Sequence, residues 1–129
     1  MIINTIKKLK FKDTPLILNA PEDLKKEFVE LGCSTAFDKK NKSGNTAVFI
    51  YNNIELLSFL KNQLKNIEYD SVFWIVYPKL SSTLKSDINR DTIWAAGHEL
   101  GIDTVTAVSL NETWTALRFR PLEMVGKKK

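Results

Sequence analysis

The sequence is poor in the residues that most catalytic and covalent devices require. It has one cysteine, Cys33, and one histidine, His98. A lone cysteine cannot close an internal disulfide, so the fold must rest on its hydrophobic core, and a reducing cytoplasm is the expected setting. One histidine and one cysteine fall short of a usual zinc ligand set. They also give no nucleophile–base–acid triad, and no catalytic residue, metal or cofactor is expected. Cys33 reads as a small hydrophobe at the start of a strand rather than a reactive thiol. His98 lies off the apolar face of its helix and should be exposed. Glycine is sparse too, with five residues in the chain and none between Met1 and Leu31. No run approaches the roughly 20 apolar residues that span a bilayer. The amino-terminal stretch mixes lysines with apolar residues and has no small-residue cleavage site, so neither a membrane span nor a signal peptide is expected.

What is present fits a globular protein. Hydrophobic residues make up 43% and charged residues 26% of the 129, a composition that folds rather than stays disordered. The length suits one core, hence a single domain over residues 1–129, with an ordered core over 13–122 and a basic tail over 123–129. The net charge of +4 is unevenly placed. Residues 1–12 hold four lysines and no acid, and Lys127 to Lys129 add three more, while 13–126 hold 15 acids against 12 bases. The basic character belongs to the ends. Nucleic acid is not expected beyond weak, salt-sensitive contacts made there.

The pattern alternates strands with helices. Pro15 to Asn19 reads as a buried strand, and Pro21-Glu22-Asp23 opens a helix whose Leu24, Phe28 and Leu31 share a face, stopped at Gly32. Cys33 to Phe37 follows as a short second strand, then a polar loop over 39–45. Thr46 to Tyr51 is a third strand, and Ile54, Leu57, Leu60, Leu64 and Ile67 recur at helical spacing. Ser71 to Tyr77 is the most apolar run and stops at Pro78. A helix capped near Ser86 or Asp87 turns Ile93, Ala96, Gly97 and Leu100 inward and ends at Gly101. Thr104 to Leu110 and Thr113 to Arg120, joined at Asn111-Glu112, read as an antiparallel hairpin. The expected fold is α/β: a mainly parallel, Rossmann-like sheet flanked by helices and closed by that hairpin. The strand order should be two, one, three, four, then the hairpin, with 46–51 and 71–77 central.

In such a sheet ligands gather beyond the carboxyl ends of the strands. That rule collects Asn19, Asp38, Lys79, Ser81, Ser82, Arg90, Glu112 and Trp114 at one rim. Asp38 follows Asn19 by 19 positions, close to the roughly 20-residue spacing of dinucleotide folds. Yet the turn Asn19-Ala20-Pro21 lacks glycine and leads into Glu22 and Asp23, which would repel a phosphate, so NAD and S-adenosylmethionine are not expected. Arg118 and Arg120 project from one strand face about 7 Å apart, beside Trp114. They could hold an anion or a partner's carboxylates, or they could mark a charged edge strand that resists aggregation. Trp114 is either a structural corner or an exposed binding residue, and its place beside a tight turn favours the corner.

Leu-Asn-Ala-Pro-Glu (18–22), Trp-Ile-Val-Tyr-Pro-Lys (74–79), Ser-Asp-Ile-Asn-Arg-Asp (86–91) and Asn-Glu-Thr-Trp-Thr-Ala-Leu-Arg-Phe-Arg-Pro (111–121) resemble a bacterial family of short uncharacterised proteins, a domain of unknown function. The resemblance spans residues 15–121 and implies no established activity or catalytic residue. The layout is also similar to a shortened class I methyltransferase, although the glycine-rich cofactor turn of those enzymes is replaced here by Asn19-Ala20-Pro21. The leading functional expectation is a non-enzymatic module that binds a partner protein or a small anion at the strand-end rim, away from membranes. The alternative is a divergent methyltransferase-like enzyme with an atypical cofactor site.

Overall fold

A computed structural model of the chain describes residues 6–38, 40–79 and 86–126. Ser81, Ser82 and the lysines of the basic tail from Lys127 lie outside the described residues. The elements run β1 (Leu16–Leu18), α1 (Glu22–Glu30), β2 (Ser43–Phe49), α2 (Asn53–Gln63), β3 (Ile67–Pro78), α3 (Arg90–Glu99), β4 (Ile102–Ser109) and β5 (Trp114–Pro121), with 3-10 turns at Leu64–Asn66 and Leu122–Met124.

The sheet has five strands in the order β1-β2-β3-β5-β4. β1 with β2 and β2 with β3 are parallel, whereas β3 with β5 and β5 with β4 are antiparallel. The sheet is therefore mixed, and the expectation of a mainly parallel, Rossmann-like sheet is corrected. Two physical causes account for the difference. The short turn after β4 sends β5 back between β4 and β3, so both pairings of β5 are antiparallel. The segment 33–37, expected as a strand, makes only the single parallel bridge Leu16↔Ser34. Beyond Ser34 it is Thr-Ala-Phe-Asp, with Ala36 and Asp38 exposed, and it lacks the β-branched, half-buried pattern that sustains a ladder. The long apolar strands β2 and β3 are interior, as their two-sided burial requires.

Helices cover both faces. On one, α2 and α3 bring Leu56, Phe59, Leu60 and Ile93 onto Val48, Phe73, Ile75, Leu117 and Phe119. On the other, Phe28 of α1 and Leu9 pack on Ala47, Phe49, Trp74, Val76 and Trp114. The Trp74 indole N–H donates to the Leu9 carbonyl at 3.0 Å, tying the amino-terminal segment to the sheet. Inside a dry cluster this bond meets two groups that would otherwise be unsatisfied.

The α2 face is rotated from the one expected. Leu56, Phe59 and Leu60 are buried, while Ile54 and Leu57 are 79% and 50% exposed. Asn52 caps the helix by accepting from the Glu55 amide at 2.9 Å. α3 begins at a capping box of Asn89 and Thr92 rather than at Ser86 or Asp87. Ser86 instead donates to the Tyr51 carbonyl and Asp87 accepts from the Asn53 amide, which couples the two helix starts. Gly97 presses α3 onto the sheet: a Cβ there would stand 2.8 Å from Phe119.

Candidate functional site

Because Ser34 and β2 lie on opposite sides of β1, the chain must cross β1 between them. The crossing is only residues 35–42, too short and too polar for the helix that usually covers such a connection. Phe37 is its one large apolar residue, and it packs against the α2/α3-face cluster. The sheet face beneath, beside α2, is therefore thinly covered. A groove of about 520 Å³ opens there, with Leu18, Val48, Ile50 and Phe59 as its floor and Phe37 and Ile54 on its walls. Its polar rim is Asn19, Glu55, Ser58, Asn62 and Gln63. The volume lies within the ordinary range for ligand clefts.

Asn19 anchors the upper end of this groove. Its backbone is left-handed, with φ of 60°, a conformation asparagine tolerates better than most residues. Its side-chain amide donates to the Phe49 carbonyl at 2.9 Å and to Glu55 Oε1 at 3.4 Å. Glu55 Oε1 also accepts from the Tyr51 amide at 2.8 Å. The ends of β1, β2 and the first turn of α2 are thus linked through one asparagine and one carboxylate.

The remaining rim residues do different work. Asp38 is exposed and accepts from the Lys40 amide and the Asn41 side chain, which lower its pKa. Lys79 donates to Ser109 Oγ at 2.5 Å, and its amide bonds the Thr113 carbonyl at 2.7 Å. It thereby closes the hairpin onto the end of β3. Arg90 and Glu112 are exposed. Arg90 lies near Tyr77, where its charge lowers a hydroxyl pKa that burial otherwise raises. Trp114 is 4% exposed and meets Phe49 and Tyr51 edge-on. It is the structural corner, not an exposed binding residue.

Arg118 and Arg120 are not a free anion-binding pair. Arg120 makes a two-point contact with Asp70, at 2.8 and 3.0 Å. β5 is also an inner strand, so neither arginine guards an edge; that position belongs to β4. The Asp70 partnership was hidden in the sequence because it depends on an irregularity of β3. Ser43 pairs with Ile67 and Asn45 with Val72, so two steps along β2 match five along β3. The surplus residues loop outward, with Asp70 left-handed at φ of 51°. This bulge is held by Asp70 to Arg120 and by Tyr69 to Glu123. It walls a cavity of about 420 Å³ whose lining includes Phe73, Ile102 and Phe119. That cavity is at the opposite end of the parallel strands from Asn19.

Cys33 is buried on the α1 face and burial pushes its thiol pKa up. His98 is half-buried rather than exposed, stacked on Trp94 with centroids 4.2 Å apart and 3.5 Å from Asp103. No group of three or more His, Cys, Asp or Glu residues that could hold a metal ion occurs among the described residues. Nor, among them, is any helix long and apolar enough to cross a membrane. No protein-family model matches the chain, and no curated protein does.

Proposed function

We propose that this chain is a non-enzymatic binding module that takes apolar side chains of a partner protein into the groove between α2 and the 35–42 crossing. The observation that carries the reading is the exposure of Ile54, 79%, on the wall of a groove with an apolar floor. A large apolar side chain rimming a concave apolar surface is a feature of protein interaction sites. The rim suits a polypeptide as well, since Asn62, Gln63 and Ser58 offer both donors and acceptors to a backbone.

A partner protein is favoured over a small anion on electrostatic grounds. Asp87 and Asn52 take the Asn53 and Glu55 amides at the start of α2, and Asn89 takes the Thr92 amide at the start of α3, which leaves fewer donors for an anion there. Glu55 on the groove rim and Glu22 and Asp23 at the start of α1 add negative charge. Against enzymatic chemistry, the single cysteine and the single histidine lie on different elements, Cys33 under α1 and His98 beside β4. The buried, unpaired thiol suits a reducing compartment, and a cytoplasmic setting belongs to this reading.

The test is a photo-crosslinking amino acid at position 54 or 62, both on the groove, with a control at Tyr69, which is 66% exposed on the bulge at the far end of the sheet. A discrete adduct from 54 and 62, absent from 69 and lost on Ser58→Arg, is the expected result. Identical adducts from all three positions sink the proposal. Ile54→Glu should leave stability within about 0.5 kcal/mol, as surface changes do, while abolishing the adduct formed from position 62.

A further inference from the structure

The cavity beside the β3 bulge has about 420 Å³ of space and shares no lining residue with the groove. Leu64, Ile67, Phe73, Leu100, Ile102 and Phe119 form its apolar floor. The two phenylalanines are buried behind that surface. Leu64 is half-buried and Leu100 is 46% exposed, so the leucines offer the apolar area that an entering molecule can cover.

The mouth carries charge of both signs. Lys42, Lys65 and Arg120 line the cavity, and so do Glu68, Asp70 and Glu123. Arg120 and Asp70 hold each other, and Glu123 accepts from Tyr69, so these contacts build the wall. Lys42, Lys65 and Glu68 are different. All three are exposed, and their charged groups make no ion pair or hydrogen bond among the described residues. The Glu68 carboxylate lies against the β2 backbone at Gly44, where any side chain would collide with its Oε2. Three basic and three acidic residues in the lining sum to zero. A ligand of net charge therefore gains nothing from the group as a whole, whereas one that carries both signs gains from each.

We propose that this cavity binds a free α-amino acid with an apolar side chain. The side chain rests on Leu64, Leu100 and the margins of Ile67 and Ile102, which removes apolar surface of both partners from water. The ligand's carboxylate accepts from the ammonium groups of Lys42 and Lys65, and its own ammonium donates to Glu68. Each of these is a charge-assisted hydrogen bond. α2 and α3 end immediately before Leu64 and Leu100, and the negative end of a helix dipole favours positive charge, which suits the ligand's ammonium. The site is separate from the groove, so its failure would leave the partner-binding reading untouched.

The probe is L-phenylalanine, followed by nuclear magnetic resonance of the backbone amides of the wild-type protein at neutral pH. The amides of residues 64–70 and 100–102 should shift to saturation, and those of the groove residues Ile54 and Asn62 should not. Three further probes each remove one part of the ligand. Phenylpropionate lacks the ammonium, phenylethylamine lacks the carboxylate and glycine lacks the apolar body. Each should bind several-fold more weakly than phenylalanine. Glu68→Gln, a change at an exposed position, should bring phenylalanine down to the affinity of phenylpropionate without weakening phenylpropionate itself. No saturable shift at the cavity overturns the proposal. So does any one of the three reduced probes binding as tightly as phenylalanine, or an unchanged phenylalanine affinity in Glu68→Gln.

Discussion

The indole ring of Trp114 stands edge-on to the ring of Phe49, with centroids 5.0 Å apart and planes at 79°. Tyr51 makes the same kind of contact from the other end of the β2 terminus, at 5.1 Å and 85°. Trp114 also opens β5, opposite Pro78, just after a turn in which Asn111 accepts from the amides of Thr113 and Trp114. One side chain thus joins the hairpin to the parallel half of the sheet. Trp114→Ala should cost about 3–5 kcal/mol, the range for a large aromatic removed from a core. Trp114→Phe should cost well under half of that, because the edge-on geometry with Phe49 survives. Urea denaturation of the two variants checks this. An alanine variant within about 0.5 kcal/mol of wild type, the range of a surface change, would show that the corner carries no weight.

The closeness of α3 to the sheet rests on Gly97. A Cβ at that position would stand 2.8 Å from Phe119 Cε2 and 3.1 Å from Ile102 Cγ1. Both side chains are buried. Gly97→Ala should therefore destabilise by about 1–3 kcal/mol through overpacking, despite alanine's better helix propensity. Phe119→Leu, which shortens the opposing side chain, should recover part of that loss in the double variant. Additive losses in denaturation midpoints would disprove the contact.

Alkaline pH should weaken the fold in two stages. Burial raises the Cys33 thiol pKa. Burial is also the main cause of the raised hydroxyl pKa values of Tyr51 and Tyr77, with Glu55 and Asp23 adding to the first. In each case the fold favours the neutral form, so the unfolded chain ionises first. The stability these groups contribute is complete below their unfolded pKa values and falls as pH rises through the folded ones. Cys33 governs the first stage, starting at about pH 8.5, and the tyrosines the second, starting at about pH 10. Cys33→Ala should flatten the first stage and keep the second. Urea midpoints measured from neutral pH upward decide it: parallel curves for the two proteins through the thiol range would rule out Cys33 as the source.

Much of this layout is legible in the chain, and the parts that are not have identifiable causes. The apolar runs Thr46 to Tyr51 and Ser71 to Tyr77 mark interior strands because only a strand covered on both faces tolerates such a run. Asn111-Glu112 marks the hairpin because asparagine readily bonds the amides two and three residues on. The mixed pairing is not legible because strand count and alternation do not say which neighbour a hairpin inserts against. The helix face of α2 is ambiguous because Ile54, Leu57 and Leu60 fit a helical repeat as well as Leu56, Phe59 and Leu60 do. Only the second set brings an aromatic to the core, and Phe59 was the available signal. Asn19 and Lys79 stand at strand ends, but each is bonded to its own neighbours, Asn19 to Phe49 and Glu55 and Lys79 to Ser109 and Thr113. The Arg120–Asp70 contact could not be anticipated, since it depends on five steps of β3 lying against two steps of β2.

Asn19 joins backbone conformation to the groove, and the two roles can be separated. Its φ of 60° would cost an alanine about 1–2 kcal/mol, while glycine adopts it without steric penalty. Its side-chain bond to the Phe49 carbonyl, at 2.9 Å, contributes about 0.5–1.5 kcal/mol. Asn19→Gly should therefore lose mainly the hydrogen bonds, and Asn19→Ala should lose these and add the strain. Alanine should be less stable than glycine by about 1 kcal/mol, an ordering opposite to that of exposed helix or strand positions. Asn19→Asp keeps the size and the left-handed tendency, but it removes the donor and sets a second carboxylate beside Glu55, which receives the Asn19 amide at 3.4 Å. Its loss should shrink as pH falls and the carboxylates are protonated, whereas the glycine and alanine losses should not respond. Denaturation of the three variants at neutral and mildly acidic pH gives the ordering directly. Alanine equal to or better than glycine would mean that the left-handed backbone does not constrain the turn. A pH-independent aspartate variant would mean that Glu55 does not sense position 19, and the upper end of the groove would then be held by Phe49 and the crossing alone.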